Sequence, residues 1–433
     1  MRMAVRKAKA LKGRIEVPGD KSISHRALLL GAIAEGSTRV RNFLPAADCL
    51  ATLACVRGLG IEVETLSETE LIVHGQGLHG LREPTDVLNC AGSGTTMRLL
   101  AGILAGQPFY SVLTGNKQLR QRPMGRIVEP LRRMGATVLG RDEGRLPPLT
   151  ILGGHLHGIE YRLPVASAQV KSAILLAGLY ADDPTVIHEP APARDHTERM
   201  LAAMGANIQY PTPNIQIQGS KLSPLDIIVP GDFSSAAYFI AAACLMSESE
   251  VVIEGVGINP TRTGFLDALR EMGADIVLQN QREVSGEPVA DIVVRTGELR
   301  GIEVGGNQVP RMIDEFPILA VVATQAGGET LVRDAAELRV KETDRIANIA
   351  AELRKLGACI EELPDGFVVE GPTPLVGTQV HSHGDHRLAM SLAIAGLVAE
   401  GETTVEEMEC IADSFPGFKE ILLAQTTFVS THP

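Results

Sequence analysis

Apolar residues along the chain form two kinds of segment that alternate with each other. The first kind is a short run that is apolar on nearly every side, which is typical of a helix buried all round. Four of these runs lead into a turn and a short β-rich segment, near Gly36, Asp183, Gly328 and Gly401. The pattern therefore predicts six buried helices, at residues 27–34, 99–105, 173–179, 236–245, 318–323 and 388–399.

The second kind of segment is amphipathic and ends in a glycine. In the last example, Ile346, Ile349, Leu353 and Leu356 are spaced by 3, 4 and 3 residues, which places them on one face of a helix. A glycine just past such a stripe is a common helix stop, because it tolerates the left-handed backbone conformation. Five segments end this way, roughly 70 to 85 residues apart, at Gly60, Gly135, Gly205, Gly273 and Gly357. Such a period indicates a repeat of similar units.

A sequence motif that occurs twice divides these units into two groups. Val17-Pro-Gly-Asp20 recurs as Val229-Pro-Gly-Asp232, with three units between the two copies and three after the second. We expect an α/β protein of two similar domains, each built of three units. One domain would span residues 19–230, and the other would be discontinuous, with residues 1–18 pairing with residues 231–433.

Composition and charge limit the classes of partner. The formal net charge is −12, from 40 Lys and Arg against 52 Asp and Glu, which argues against a nucleic acid or an anionic membrane as partner. The apolar runs are much shorter than the roughly 20 residues of a membrane span, and the N-terminus shows no signal-peptide core. Six scattered cysteines show no metal-ligand spacing. We expect a cytoplasmic protein with reduced thiols and no metal site.

Polar residues stand immediately before every buried run. Helix N-termini carry unpaired N–H groups and partial positive charge, so six of them converging on an interdomain cleft would form an anion site in an acidic protein. For Ser234 and Ser235, simple helix capping explains the residues equally well. For Lys21 and Arg26, function is favoured, because burying a cation without a partner is costly. The segments are Lys21–Arg26, Gly92–Arg98, Ser167–Lys171, Ser234–Ser235, Asp314–Glu315 and Gly384–Arg387.

Two further strings are rich in cations. Arg120 and Arg122 precede Pro123, which is expected to start a helix, although a solvated loop would have the same composition. Lys341, Glu342 and Arg345 precede the clearest amphipathic helix. Here Thr343 could act as a cap, but the cluster also suits an acid/base carboxyl held beside anion-binding cations.

Taken together and in order, these strings resemble the EPSP synthase family of enolpyruvyl transferases. The resemblance runs from Pro18-Gly-Asp-Lys-Ser-Ile-Ser-His-Arg26 to Ser414-Phe-Pro-Gly417, nearly the whole chain. It implies two domains of βαβαββ units that close over the substrates, with the active site in the cleft between them. It also implies carboxyvinyl transfer from phosphoenolpyruvate to the 5-hydroxyl of shikimate 3-phosphate without a cofactor, in aromatic amino-acid (chorismate) biosynthesis. We expect a monomer, and glyphosate is expected to compete for the phosphoenolpyruvate pocket beside Gly94.

The resemblance also implies roles for individual residues. Asp314 and Glu342 correspond to the acid/base carboxyls, with Lys21 as a further catalytic residue. The residues implied for shikimate 3-phosphate are Lys21, Ser22, Arg26, Ser167, Ala168, Gln169, Arg194, Asp314 and Lys341. Those implied for phosphoenolpyruvate are Lys21, Gly94, Arg122, Gln169, Arg345 and Arg387. Two positions depart from the family pattern, because Gly92-Ser93 replaces a usual Asn and Asp413 replaces a Lys that some members carry.

Two alternatives remain at this point. The sister transferase that acts on UDP-N-acetylglucosamine shares the repeat fold, but it carries Lys-Asn where this chain has Lys21-Ser22. It also has a Cys in the loop that here holds Arg120 and Arg122, and no Cys lies there in this chain. A non-catalytic scaffold built on the same repeat is the other alternative. The clustering of cations with Asp314 and Glu342 argues against it.

Overall fold

Helices and short strands alternate throughout the chain, and the computed structural model describes residues 1–210 and 214–428. The helices of these residues are α1 (Lys21–Ala32), α2 (Ala47–Gly58), α3 (Gly94–Ala105), α4 (Gly125–Arg133), α5 (Ala168–Gly178), α6 (His196–Ala203), α7 (Phe233–Leu245), α8 (Gly264–Glu271), α9 (Phe316–Ala323), α10 (Arg345–Lys355), α11 (His386–Val398) and α12 (Phe418–Gln425). None of them is long and apolar enough to cross a membrane.

The strands of the described residues are two to ten residues long and are numbered in chain order. They are β1 (Met3–Arg6), β2 (Ala8–Glu16), β3 (Glu35–Arg41), β4 (Val63–Ser67), β5 (Glu70–Gln76), β6 (Leu88–Asn89), β7 (Tyr110–Thr114), β8 (Thr137–Arg141), β9 (Leu146–Leu152), β10 (Glu160–Arg162), β11 (Thr185–His188), β12 (Asn207–Gln209), β13 (Asn214–Gln218), β14 (Ile227–Ile228), β15 (Glu250–Gly257), β16 (Asp275–Val284), β17 (Glu287–Arg295), β18 (Glu303–Val304), β19 (Gly328–Val332), β20 (Cys359–Leu363), β21 (Gly366–Gly371), β22 (Gln379–His381), β23 (Glu402–Glu406) and β24 (Thr426–Phe428).

The chain forms two compact units. The unit that we call the central unit comprises Gly19–Val229 together with the short segment Glu283–Glu287. The unit that we call the discontinuous unit comprises Met1–Pro18, Pro230–Arg282 and the described residues from Pro288 onward.

The central unit contains three sheets with the same strand arrangement. Their strand orders are β14-β3-β5-β4, β6-β7-β9-β8 and β10-β11-β13-β12. In each sheet the first two strands are parallel and the remaining neighbours are antiparallel. Parallel neighbours need a crossover connection, and a buried helix supplies it, as α3 does between β6 and β7. The expected βαβαββ unit is confirmed.

The discontinuous unit repeats the arrangement and completes it with the N-terminal strands. The order β18-β19-β21-β20 matches the central sheets, and the other two sheets are β16-β17-β15-β2-β24 and β1-β23-β22. Strand β2 runs parallel to β15, with Ile15 opposite Ile253, and β1 runs antiparallel to β23, with Met3 opposite Val405. Strands of the first 18 residues thus pair with strands that come after residue 230.

Each unit has a core made of its own buried helices. All residues of α7 from Phe233 to Cys244 are buried, and so are those of α11 from His386 to Leu397. The predicted all-round burial of the six apolar runs is confirmed except at Leu245 and Val398, which are partly buried. Small residues allow the close packing that this requires. A Cβ at Gly102 on α3 would lie 2.3 Å from the carbonyl oxygen of Ala173 on α5, so the two helices meet where a side chain is missing.

The amphipathic helices end as the sequence predicts. Beyond α2, α4, α6, α8 and α10 the five glycines adopt left-handed backbone conformations. Their φ angles are +84° at Gly60, +111° at Gly135, +83° at Gly205, +102° at Gly273 and +95° at Gly357. Because this region disfavours residues with a Cβ, glycine ends each helix and directs the chain into the next strand.

Candidate active site

The six buried helices all begin in a polar segment, as expected. Side chains cap four of them: Asp20 accepts the N–H of Ile23 at 2.9 Å, and Ser93, Asp232 and Asp385 make equivalent bonds at α3, α7 and α11. The N-cap residues of α5 and α9, Ser167 and Glu315, make no side-chain cap bond. Capping thus accounts for part of the polar pattern but not for Ser167.

Ser234 and Ser235 belong to a buried network at the start of α7. The hydroxyl of Ser235 donates to Asp232 at 3.0 Å, and the Ser234 hydroxyl donates to Glu315. The buried guanidinium of Arg262 donates to Ser234 at 2.6 Å. Ser234 therefore joins the N-termini of α7 and α9, whereas Ser235 bonds to the N-cap of its own helix.

In the central unit, Lys21 and Arg26 project from the first two turns of α1. The Lys21 ammonium lies 2.5 Å from the Asp48 carboxylate, and both side chains are about five-sixths buried. The Arg26 guanidinium is buried, and burial lowers the pKa of Arg26 to about 10. It donates to the hydroxyls of Thr197 at 2.6 Å and Ser172 at 2.8 Å, and to the carbonyl of Ser22 at 2.9 Å. Arg26 thereby links α1 to α5 and α6.

A second group of the central unit lies at the N-terminus of α3. A Cβ at Gly94 would lie 3.1 Å from guanidinium nitrogens of both Arg122 and Arg98. Arg98 donates a hydrogen bond to the side-chain oxygen of Gln169, whose amide nitrogen donates to Thr95 at 2.9 Å. The structure therefore brings Gly94, Arg122 and Gln169 together. Two guanidinium groups beside a helix N-terminus form a site suited to a carboxylate or phosphate.

The loop that leads to Arg122 differs from the prediction. Residues Leu119–Gln121 form a 3-10 turn, and α4 begins at Gly125, so Pro123 precedes the helix instead of starting it. Arg120 is exposed, whereas Arg122 is partly buried. The turn separates the two arginines, and only Arg122 reaches the group at α3.

In the discontinuous unit, Arg345 joins three carboxylates. This side chain is 2% exposed, and it lies 3.2 Å from Asp314, 2.6 Å from Glu342 and 2.8 Å from Asp385. Burial alone would lower the pKa of Arg345, but the three carboxylates raise it, with Asp385 contributing most. Both predicted acid/base carboxyls are therefore bonded to the same cation.

The N-cap of α10 is Asp344, and the alternative that Thr343 caps this helix is excluded. Asp344, and not Thr343, accepts the N–H of Ala347 at 3.0 Å. Thr343 instead donates its hydroxyl to Asp385 at 3.3 Å. Both residues suit an N-cap, and the choice depends on the backbone angle at which the chain enters the helix.

Lys341 and Arg387 complete this group. Lys341 is partly buried, and burial lowers its pKa although Asp314 and Glu337 oppose the shift. Arg387 lies in the first turn of α11. Burial acts to lower its pKa, but Tyr238 and Asp314 raise it overall. The predicted residues of the discontinuous unit thus interact electrostatically with one another.

Some residues of these groups were not assigned from the sequence. Arg98 lies four residues after Gly94 on the same helix, and this spacing could have indicated it. Asp385 lies in a predicted polar helix start, but its contact with Arg345, like that of Asp48 with Lys21, comes from packing between distant segments. Asp413, where some family members carry a Lys, ends a 3-10 turn at Met408–Asp413. Among the described residues, no cluster of His, Cys, Asp and Glu could hold a metal ion.

Comparison with known proteins identifies the family. The model of EPSP synthase (3-phosphoshikimate 1-carboxyvinyltransferase) matches residues 5–422. The 3-phosphoshikimate 1-carboxyvinyltransferase of Desulforudis audaxviator is 54% identical over 98% of this chain and 99% of its own, and that of Geobacter sulfurreducens is 56% identical over 96% and 97%. A solved structure of EPSP synthase from Acinetobacter baumannii has a TM-score of 0.89 at 46% identity, covering 99% of both chains. The chain therefore belongs to the EPSP synthase family.

Proposed function

We propose that this protein transfers the carboxyvinyl group of phosphoenolpyruvate to the 5-hydroxyl of shikimate 3-phosphate and releases phosphate, a step of aromatic amino-acid biosynthesis. The relatives that this chain matches over nearly their full length are named for this reaction. The observation that carries the proposal is Arg345, whose guanidinium lies within hydrogen-bonding distance of both Asp314 and Glu342. This arrangement joins an anion-binding cation to two carboxyls that can move protons.

The residues assigned to the substrates come from both units, so the reaction requires both. We assign Lys21, Ser22, Arg26, Ser167, Ala168, Gln169, Arg194, Asp314 and Lys341 to shikimate 3-phosphate. We assign Lys21, Gly94, Arg122, Gln169, Arg345 and Arg387 to phosphoenolpyruvate. The assignment to anionic substrates is supported by the clustering of Gly94, Arg122 and Gln169 in one unit, and of Arg345, Arg387 and Lys341 in the other.

The lysine and arginine residues of the proposed site reduce the electrostatic repulsion between the two substrates. Both substrates are multiply charged anions, and their repulsion grows as water is excluded from around them. Positive groups held rigidly in the protein offset that repulsion without having to reorganise during the reaction. The central unit supplies Lys21, Arg26 and Arg122 together with the N-termini of α1, α3 and α5.

The proposed chemistry is addition followed by elimination. Asp314 takes the proton of the attacking 5-hydroxyl, whose oxygen bonds to the central carbon of phosphoenolpyruvate. Glu342, assisted by Lys21, gives a proton to the methylene carbon, which becomes a methyl group. The tetrahedral intermediate then returns a methyl proton to Glu342 and releases phosphate, which takes up the proton held by Asp314. The carbon–carbon double bond is thereby restored, and both carboxyls regain their starting states.

Arg345 couples binding to this proton transfer. Four hydrogen bonds from its guanidinium run to Asp314, Glu342 and Asp385, and a guanidinium has five N–H groups. A carboxylate that binds a guanidinium in the two-bond fork geometry needs two N–H groups, so it must displace one of these neighbours. We infer that phosphoenolpyruvate displaces Asp314, which makes the weakest of the three contacts and would then face the second substrate.

Phosphate release tests the proposal directly. The purified protein is mixed with phosphoenolpyruvate and shikimate 3-phosphate, and both phosphate and the enol ether product are measured. We expect both to form at equal rates, and none with UDP-N-acetylglucosamine in place of shikimate 3-phosphate. Release with the sugar nucleotide would favour the sister transferase, and no release with either acceptor would favour a scaffold.

A further inference from the structure

Lys171 is a buried cation of the central unit for which the mechanism has no role. It lies in the first turns of α5 and is 1% exposed. Its ammonium lies 2.6 Å from the carboxylate of Glu198 and 2.9 Å from that of Glu189. It also donates to the carbonyl of Ala193 at 3.2 Å. Three acceptors therefore match the three N–H groups of the ammonium.

All three acceptors belong to one short stretch of chain. Glu189 follows β11, Ala193 lies within the loop, and Glu198 lies in the first turn of α6. The same Glu189 carboxylate accepts the backbone N–H of Ala193 at 3.2 Å. Lys171 thus bonds α5 to the first residue of this loop, to its middle and to the first turn of the helix that follows it. The residue that follows Ala193 is Arg194, which we assign to shikimate 3-phosphate.

The neighbouring residues make a parallel connection. Ser172, next to Lys171, lies 2.7 Å from the hydroxyl of Thr197, next to Glu198. Both hydroxyls accept hydrogen bonds from Arg26. Two adjacent pairs therefore align α6 with the helix whose N-terminus carries Ser167, Ala168 and Gln169.

Stability alone does not explain a buried charge at this position. The desolvation of a buried ion pair commonly cancels its attraction, so apolar residues of similar size would pack about as well. Burial alone would lower the pKa of Lys171, but Glu198 and Glu189 raise it, so the ammonium form persists. A charged centre with three directional bonds does what an apolar side chain cannot, because it selects one loop conformation.

We propose that Lys171 is a positioning residue for the acceptor substrate, since it holds the loop of residues 189–194 in the conformation that presents Arg194. This inference rests on the proposed function, in which Arg194 contacts shikimate 3-phosphate. It predicts a selective effect, because Lys171 contacts no residue that we assign to phosphoenolpyruvate alone.

The test uses a charge-balanced variant. Lys171→Met alone leaves Glu198 buried without its cation and risks unfolding. In Lys171→Met/Glu198→Gln the two charges that are 1% exposed are removed together, and the remaining carboxylate, Glu189, is 15% exposed and can be hydrated, so we expect a folded protein. Its KM for shikimate 3-phosphate should rise at least about tenfold, the loss expected when a charge-assisted bond is misplaced, while KM for phosphoenolpyruvate stays within about twofold.

Two comparison variants separate the possible outcomes. Arg194→Met should raise the same KM, and Arg39→Met/Glu70→Gln, which removes an exposed ion pair of the same unit, should change neither KM. A wild-type protein that releases no phosphate defeats the proposed function itself. If Arg194→Met raises KM for shikimate 3-phosphate and the Lys171 double variant does not, the positioning role is wrong. Equal increases in both KM values would also overturn it, since they indicate general damage.

Discussion

Asp314 and Glu342 share one guanidinium, yet their surroundings suit them to different tasks. Glu342 lies 2.6 Å from Arg345 and is 29% exposed, whereas Asp314 lies 3.2 Å away and is 18% exposed. The longer contact makes Asp314 the carboxylate that a bound anion can release most easily. Its proposed role as the base follows from this position.

Replacing Asp314 by Asn keeps the shape of the side chain and removes the base. We expect kcat to fall about a hundred- to ten-thousand-fold, the usual contribution of a general base. Steady-state phosphate release measures the change. Asp267→Asn, which removes a carboxylate bonded to Arg311 at the surface of the same unit, should keep wild-type turnover. A folded Asp314→Asn protein retaining more than about a tenth of wild-type kcat would exclude Asp314 as the base.

Gly94 lies against two guanidinium groups in the proposed phosphoenolpyruvate site. In Gly94→Ala the new methyl group would lie 3.1 Å from guanidinium nitrogens of Arg98 and Arg122, so both side chains must shift. We expect KM for phosphoenolpyruvate to rise by about tenfold, equivalent to about 1.4 kcal/mol, and inhibition by glyphosate to weaken. KM for shikimate 3-phosphate is the internal control and should change little. Unaltered inhibition of the variant would show that glyphosate does not bind beside Gly94.

Lys341 gives the proposed site an alkaline limit. Burial lowers its pKa below the usual 10.5, so in the folded protein it loses its charge at a lower pH than an exposed lysine does. If the ammonium binds shikimate 3-phosphate, kcat/KM for this substrate falls as pH rises through that lowered pKa. Lys341→Arg keeps its charge throughout the range and should show no such decline. The comparison is made by measuring kcat/KM against pH for the wild-type protein and for Lys341→Arg. If both decline equally at alkaline pH, the decline belongs to another group.

At the level of the helices, left-handed glycines set the boundaries of the repeat. Gly205 follows α6 with φ of +83°, and no atom lies within 4 Å of the position that a Cβ would take. A substitution there is opposed by the backbone conformation and not by a collision. This position therefore isolates the conformational cost of ending a helix with a residue other than glycine.

We expect Gly205→Ala to lower the free energy of unfolding by about 1–2 kcal/mol, the cost of the left-handed conformation for a residue with a Cβ. Gly205→Asn is the matched comparison and should lose less, because Asn tolerates this conformation through local hydrogen bonds. Urea unfolding of the three proteins measures the difference. Equal losses in both variants would mean that side-chain bulk, and not backbone strain, determines the cost.

Helix ends also show where local signals fail. The glycine stops were predicted because the conformation that they need belongs to glycine almost alone. The first residue of α10 could not be predicted in the same way, because Thr343 and Asp344 are both good N-caps. Only the path of the backbone selects Asp344. Pro123 was expected to start α4, but a 3-10 turn intervenes and the helix begins at Gly125. The first residue of a helix is therefore harder to predict from sequence than its last when several capping residues are adjacent.

For the molecule as a whole, overall charge and local charge oppose each other. The net charge of −12 repels anionic substrates at long range, while the arginine and lysine groups attract them at short range. Salt shortens the screening length from about 30 Å at 0.01 M to about 8 Å at 0.15 M, so it removes the distant repulsion before it weakens the contacts.

We therefore expect KM for both substrates to fall or stay level as salt rises to about 0.15 M, and to increase at about 1 M, where the screening length is about 3 Å. Steady-state kinetics in a series of potassium chloride concentrations measures this curve. Sucrose at matched osmolality is the control for non-ionic effects. A monotonic rise in KM from the lowest salt would show that the local cations also dominate the long-range field.

The sequence by itself determined the repeat, the six buried helices, the helix stops and the polar helix starts, because each depends on the residues within one or two helical turns. It also contained the strings through which the chain resembles its family. Only the tertiary structure decided the partners of the charges: Asp48 for Lys21, Asp385 for Arg345, and Glu189 and Glu198 for Lys171. The physical reason is that a buried cation needs a counter-charge or hydrogen-bond acceptors. These partners come from whichever segment packing brings within about 3 Å, however distant it is along the chain.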